Sequence, residues 1–111
     1  MAVRMLDERL RIRAVHDGAI GRLAVIGDLD AGGEPQLADA LAAMLDGSVG
    51  LLVLDMSSAT FVSATALLEV AAVAETVPVQ LTGAKHAVAR VAAILGLTHL
   101  LSIDGSRTSA A

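Results

Sequence analysis

The sequence of 111 residues contains no cysteine, no tryptophan, no tyrosine and a single phenylalanine, Phe61. Without cysteine, the chain cannot build a disulfide scaffold, use a thiol nucleophile or hold a metal ion through thiolates. With one aromatic side chain, it lacks the platform on which single-stranded nucleic acids stack their bases. These absences exclude several kinds of site and direct attention to the hydroxyl and carboxylate side chains.

The sequence is also poor in positive charge and in long apolar runs. Eight Lys and Arg against twelve Asp and Glu give a net charge of -4, so nucleic acid is not expected as a partner. Aliphatic stretches such as VGLLVL are far shorter than the roughly 18 residues that a membrane-spanning helix needs. The first residues, MAVRMLDERLRIR, carry charges where a signal peptide has an apolar core. We therefore predict a cytoplasmic protein without membrane insertion, whose apolar residues form a core.

Hydrophobic periodicity predicts the order of the elements. Residues 9–15, RLRIRAV, alternate as a half-buried strand does, HDGAIG forms a hairpin turn, and residues 20–27 form a second strand. The first helix repeats apolar residues at Leu37, Leu41 and Leu45 and stops at Gly47. It is followed by three further strands, which alternate with two more helices: VGLLVLD, PVQLTG and THLLSID.

The resulting order is β-β-α-β-α-β-α-β. It predicts an α/β fold with a mixed β-sheet and helices packed against it. We expect one domain over residues 1–104 and a flexible C-terminal tail over residues 105–111.

The stretch LDMSSATFVSATALLEV, residues 54–70, places hydroxyl side chains between an apolar strand and an apolar helix. Ser63 is suited to be the N-cap of that helix, although a capping box would have Glu or Gln where Ala66 stands. A hydroxyl in the first turn also faces unpaired N–H groups, so a phosphate attached there is stabilised. The stretch is therefore compatible with plain helix capping and with a phosphorylation switch that needs no catalytic residue of its own.

The loops that follow parallel strands meet at one rim of the sheet. We expect this rim to carry Asp28, Asp30, the loop from 55 to 63 and residues 83–85. The hydroxyl stretch lies in the middle of the rim, where partners commonly reach such a fold.

The segment LLVLDMSSATFVSATALLEV resembles the signature of STAS domains, and in particular that of bacterial anti-sigma factor antagonists. VIGDLDAGGEPQLADAL is similar to the family's Gly-Glu-Leu-Asp segment and first helix. VARVAAILGLTHLLSID is similar to its closing helix, Gly-Leu turn and last strand. The resemblance covers nearly the whole chain and implies a STAS-type mixed sheet in a regulatory protein that is not an enzyme and needs no cofactor.

The same resemblance implies a phosphorylation site. In the family, the second hydroxyl of an Asp-Ser-Ser/Thr-Gly motif is phosphorylated by a serine/threonine kinase that is also the anti-sigma factor, and a PP2C-type phosphatase removes the phosphate. The match falls on Thr65, with Ser63 as the alternative acceptor. Ser63 replaces the family's Asp, and Ala66 replaces its Gly. In the family, the unphosphorylated antagonist binds the kinase and thereby frees the sigma factor. The implied partner-binding rim comprises Asp28, Asp30, Phe61, Val62, Ser63 and Thr65, and a homodimer is left open.

A STAS subunit that docks on the ATPase of a lipid-exporting ABC transporter is the alternative, with Thr65 as a contact. Asp55 and the following LTGAK are similar to a response-regulator receiver, but the hairpin start does not belong to that fold. Asp55 is therefore expected to bind nearby backbone, and Lys85 to be solvated. No metal site is predicted, because the histidines lack metal-ligand spacing and are expected at the surface: His16, His86 and His99.

Overall fold

The computed structural model describes residues 10–102. One sheet contains five strands in sequence order: β1 Leu10–Asp17, β2 Ile20–Leu29, β3 Leu51–Val62, β4 Val79–Thr82 and β5 Leu101–Ser102. The connections contain three helices: α1 Glu34–Leu45, α2 Ala64–Val73 and α3 His86–Ile94. Single 3-10 turns precede α1 and β5: Ala31–Gly33 and Thr98–Leu100. The predicted boundary at 104 and the predicted tail, residues 105–111, lie outside the described residues.

The predicted element order and the mixed sheet are confirmed. β1 and β2 form the antiparallel hairpin, with Asp17 paired to Ile20 and a two-residue turn between them. Gly18, the first turn residue, has a φ of 64°, the left-handed conformation that glycine adopts most readily. The remaining neighbours, β2 with β3, β3 with β4 and β4 with β5, are parallel.

Strand β3 is longer than the sequence pattern indicates, and the expected loop from 55 to 63 is wrong. The strand continues to Val62 because β2 extends to Leu29 and pairs with it as far as that residue. Two register shifts interrupt this pairing, and they place three residues spaced by three on the core side: Met56, Ala59 and Val62. The small polar residues between them are therefore exposed strand residues and not loop residues: Ser57, Ser58 and Thr60.

The core lies between the sheet and the helices. Consecutive parallel strands joined by right-handed crossovers place their helices on the same face. Helix α1 buries Leu37, Leu41 and Met44, whereas Leu45 is 37% exposed. The helix thus turns the i, i+4, i+7 positions inward, so Met44 takes the core position in place of Leu45. No helix within residues 10–102 combines the length and apolar character needed to cross a membrane.

Candidate functional site

The start of α2 is held by Ser63, which confirms the predicted N-cap. The residue is extended, with φ -76° and ψ 157°, and its Oγ accepts a hydrogen bond of 3.1 Å from the Ala66 N–H. Its own N–H donates to the Leu29 carbonyl at 2.9 Å, which ties the end of β3 to the end of β2. The helix start is therefore fixed relative to the sheet on both sides of Ser63.

The hydroxyl of Ser63 also donates to Oε2 of Glu34, at 2.9 Å. Glu34 is the first residue of α1, and both side chains are half-buried. Nothing in the sequence pattern pointed to this contact, because the two residues are 29 positions apart. The parallel pairing of β2 and β3 brings them together, since it places the starts of α1 and α2 at the same end of the sheet. A carboxylate therefore lies at the N-terminus of α2, although the first turn of that helix contains no acidic residue.

Thr65 differs from Ser63 in its surroundings. It is exposed, and none of the side-chain hydrogen bonds found among residues 10–102 uses its hydroxyl. It lies in the first turn of α2, where the free N–H groups favour negative charge. The neighbouring Ala66 is completely buried in the core, so the methyl group in place of the family's glycine takes no room on the outer surface.

Two carboxylates lie in and after β2, on the strand-end side from which α1 starts. Asp28 accepts a hydrogen bond from the Thr60 hydroxyl on β3. Asp30 caps the 3-10 turn that leads into α1, with its Oδ1 accepting from the Gly32 N–H at 3.1 Å and its carbonyl from the Gly33 N–H at 2.9 Å. Asp28 thus links β2 to a side chain of β3, Asp30 shapes the backbone of the turn, and both residues remain at least partly accessible to solvent.

Two large apolar side chains flank Thr65 along the chain. Phe61 is 47% exposed and Leu68 is 50% exposed. Leu68 follows Thr65 by three positions and therefore lies on the same side of α2. Val62, by contrast, is only 2% exposed and belongs to the core, so its side chain is not available to a partner. Leu68 was not singled out from the sequence, where it looks like one more apolar residue of the helix.

Asp55 binds nearby backbone, as expected. Its Oδ1 accepts from the Ser57 N–H at 2.9 Å and from the Ser57 hydroxyl at 2.7 Å. These two hydrogen bonds, the backbone one foremost, lower the pKa of the Asp55 carboxyl from its ordinary value of 3.8. The carboxylate is therefore engaged with its own strand.

The remaining polar candidates do not converge on a site. Lys85 is exposed at the start of α3, and the three histidines are exposed as predicted: His16, His86 and His99. Among residues 10–102, no group of three or more His, Asp or Glu side chains is placed to hold a metal ion. The start of α2 and the adjoining end of β2 are thus where the hydroxyl, carboxylate and exposed apolar side chains occur together.

Comparison with known proteins was made by family and by structure. Residues 12–102 match the family model described as Mlab, STAS domain. An anti-sigma factor antagonist from Mycobacterium paratuberculosis has a TM-score of 0.76 and 21% identity, over 85% of this chain and 84% of that one. The Bacillus cell fate determinant SpoIIAA in its phosphorylated form has a TM-score of 0.66 and 13% identity, over 84% of this chain and 90% of that one.

A variant of RsbS from Moorella thermoacetica has a TM-score of 0.64 and 26% identity, over 78% of this chain and 79% of that one. No curated protein sequence matches the chain. The structural similarities establish that these proteins share one fold over most of their lengths.

Proposed function

The chain belongs to the STAS domain family, and from this premise we propose that it is an anti-sigma factor antagonist switched off by phosphorylation of Thr65. The observation that carries the proposal is the difference between the two hydroxyls at the start of α2. Ser63 Oγ is occupied by the Ala66 N–H and by Glu34, whereas Thr65 is exposed. A kinase therefore reaches Thr65 without first breaking the helix cap.

The chemistry of the switch is a reversible phosphoryl transfer. The kinase moves the γ-phosphoryl group of ATP onto Thr65 Oγ1, the hydroxyl proton passes to a base of the kinase, and ADP leaves. A PP2C-type phosphatase reverses the change by adding water across the P–O bond, which regenerates the hydroxyl and releases inorganic phosphate. The protein contributes the acceptor and its placement, and the kinase and phosphatase contribute the catalytic groups.

The phosphate acts through charge. It adds about -1.5 to -2 at the first turn of α2, where the helix dipole stabilises it. The same region already carries the carboxylates of Asp28, Asp30 and Glu34. We therefore infer that the unmodified surface binds the anti-sigma kinase through Phe61, Leu68 and Thr65, and that the added charge and bulk expel it.

Intact-mass analysis after incubation with candidate anti-sigma kinases and ATP tests the acceptor. We expect one phosphate on the wild type and none on Thr65→Ala, while Ser58→Ala, a matched exposed hydroxyl on β3, still gains it. Modification of Thr65→Ala to the wild-type level would show that the acceptor is a different residue.

Binding of the same kinase tests the switch. Thr65→Glu should weaken binding at least about tenfold, since one charge is expected to cost more than about 1.4 kcal/mol at the contact. Thr65→Gln supplies the same length without the charge and should bind close to the wild type. Equal affinities for the Glu and Gln variants would exclude an electrostatic switch. The homodimer and the cytoplasmic location stay predictions.

The second candidate is a STAS subunit that docks on the ATPase of a lipid ABC transporter. The matching family model, described as Mlab, STAS domain, covers residues 12–102 and is compatible with this role as well as with the first. In that role Thr65 contacts the ATPase directly, so both Thr65→Ala and Thr65→Glu should weaken the complex with the ATPase. Copurification with an ATPase and membrane proteins, without any gain of phosphate, would favour this candidate over the antagonist.

A further inference from the structure

The hydrogen bond between Ser63 and Glu34 joins the starts of two helices that are distant in sequence. Ser63 Oγ donates to Glu34 Oε2 at 2.9 Å and at the same time accepts from the Ala66 N–H at 3.1 Å. The Glu34 carboxylate therefore lies at the positive end of α2, where a helix favours an anion. This is the same end at which Thr65 stands in the first turn.

Glu34 is also part of the turn that precedes α1. Its N–H closes the 3-10 turn by donating to the Ala31 carbonyl. The preceding Gly33 is buried, and a Cβ there would collide with Leu10 on β1. Asp30 begins this turn and accepts from the Gly32 and Gly33 N–H groups. The backbone of Glu34 is thus hydrogen-bonded to the segment that presents Asp30.

We propose that Glu34 senses the charge on Thr65: a phosphate there displaces the Glu34 carboxylate from the start of α2, breaks its bond to Ser63 and shifts the Asp30–Gly33 turn. The inference rests on the proposed phosphorylation of Thr65. The phosphate and the carboxylate have the same sign and compete for the same helix end. Glu34 bonds to Ser63, which precedes Thr65 by two positions, and salt screens mainly those charges that lie more than a Debye length apart, about 8 Å at physiological ionic strength.

This coupling has a consequence for partner binding. The phosphate changes the surface at Thr65 directly and, through Glu34, also changes the turn that carries Asp30. One modification thereby alters two separate elements of the rim, α2 and the connection between β2 and α1. Glu34 acts as a positioning residue: it passes the effect of the phosphate charge on to the turn, and it touches neither the nucleotide nor the transferred group.

The amide resonances of Gly32 and Gly33 report on this turn, since both N–H groups bond to Asp30. We would record ¹H–¹⁵N spectra of purified Thr65→Glu and Thr65→Gln, each with Glu34 intact and with Glu34→Gln. With Glu34 intact, Thr65→Glu should move the two glycine resonances at least about threefold further than Thr65→Gln does. With Glu34→Gln, the two variants should move them equally.

Two controls separate a specific effect from a general one. Asp39→Asn removes a different, exposed carboxylate of α1 and should leave the extra shift in place. The amide resonance of Gly18, in the hairpin turn, should keep its position in every variant. The proposal is overturned if the Glu and Gln variants at position 65 give equal shifts with Glu34 intact, or if the extra shift survives Glu34→Gln.

These spectra need no kinase. A failure of the coupling is therefore distinct from a failure of the proposed function, which would show as a missing phosphate on the wild-type protein.

Discussion

At the scale of single residues, Ser63 is the side chain on which the start of α2 most depends. Its Oγ satisfies one free N–H of the helix and holds the Glu34 carboxylate. Ser63→Ala removes both bonds, and we expect it to lower the free energy of unfolding by about 1–2 kcal/mol. Urea unfolding measures the loss.

Ser58→Ala is the matched control for this prediction. Ser58 is an exposed serine of β3, and its replacement should change the free energy of unfolding by no more than about 0.5 kcal/mol. Equal effects of the two substitutions would show that the cap contributes nothing.

Asp55 gives a prediction about pH. Ser57 lowers the pKa of the Asp55 carboxyl in the folded protein, so the stabilisation is fully present above the ordinary pKa of 3.8 that the carboxyl has in the unfolded chain. It is lost as the pH falls through the folded-state pKa. Ser57→Ala removes the hydroxyl bond and keeps the backbone bond, so the pKa of Asp55 should rise part of the way towards 3.8.

An NMR titration of the Asp55 carboxyl carbon measures this change. Urea unfolding should show a larger difference in the free energy of unfolding between the wild type and Ser57→Ala at pH 7 than at a pH below the folded-state pKa of Asp55. A pKa of Asp55 that is the same in both proteins would exclude a contribution from the hydroxyl.

At the scale of elements, α2 has a core side and an outer side that meet at two consecutive leucines. Leu67 is completely buried, while Leu68 is 50% exposed. Leu67→Ala should lower the free energy of unfolding by about 2–5 kcal/mol, because it removes buried methyl groups and leaves a cavity. Leu68→Ala should cost less than about 0.5 kcal/mol.

The proposed partner surface adds a second readout for this pair. Leu68→Ala should weaken kinase binding severalfold while the protein stays folded, as checked by circular dichroism. Normal binding of Leu68→Ala would remove the outer side of α2 from the interface.

Gly83, just after the end of β4, closely approaches Ser57 in the middle of β3. A Cβ at this residue would lie 2.8 Å from the Ser57 Cβ and 3.1 Å from its backbone N. Gly83 also has a φ of 68°, so Gly83→Ala combines a steric clash with backbone strain and should cost more than about 2 kcal/mol.

Gly18 is the natural control, since its φ is 64° but no atom lies within 4 Å of an added Cβ. Gly18→Ala therefore isolates the strain, at about 1–2 kcal/mol. Denaturant unfolding measures the loss of stability in both variants, and the difference between the two losses is the energy of the steric clash at Gly83. Equal losses would mean that β3 shifts to accommodate the added methyl group without a loss of stability.

At the scale of the whole molecule, the proposed switch would be a change of charge on an acidic protein with net charge -4. Salt screens such a change, because the Debye length falls from about 30 Å at 0.01 M to about 3 Å at 1 M. The ratio between the kinase dissociation constants of Thr65→Glu and Thr65→Gln should therefore fall severalfold over this range. A ratio that does not depend on salt would point to bulk and not charge as the cause.

Much of the fold follows from patterns that act over a few residues. The alternation in RLRIRAV, the turn at Asp17-Gly18 and the cap at Ser63 each depend on local dihedral preferences and on hydrogen bonds to nearby backbone. The order of elements then limits the topology, since parallel neighbours need right-handed crossovers. The sheet was therefore predictable from these segments, and so was the position of Ser63 and Thr65 at the start of α2.

The amino-acid sequence by itself determined the element order, the N-cap and the family. Tertiary structure decided which residues those elements bring together. β3 extends to Val62 because β2 supplies its ladder partners, Met44 replaces Leu45 in the core because packing sets the rotation of α1, and Glu34 reaches Ser63 across 29 positions. Each depends on the register between distant segments, which no local pattern encodes, because pairing and burial are settled only when both partners are in place.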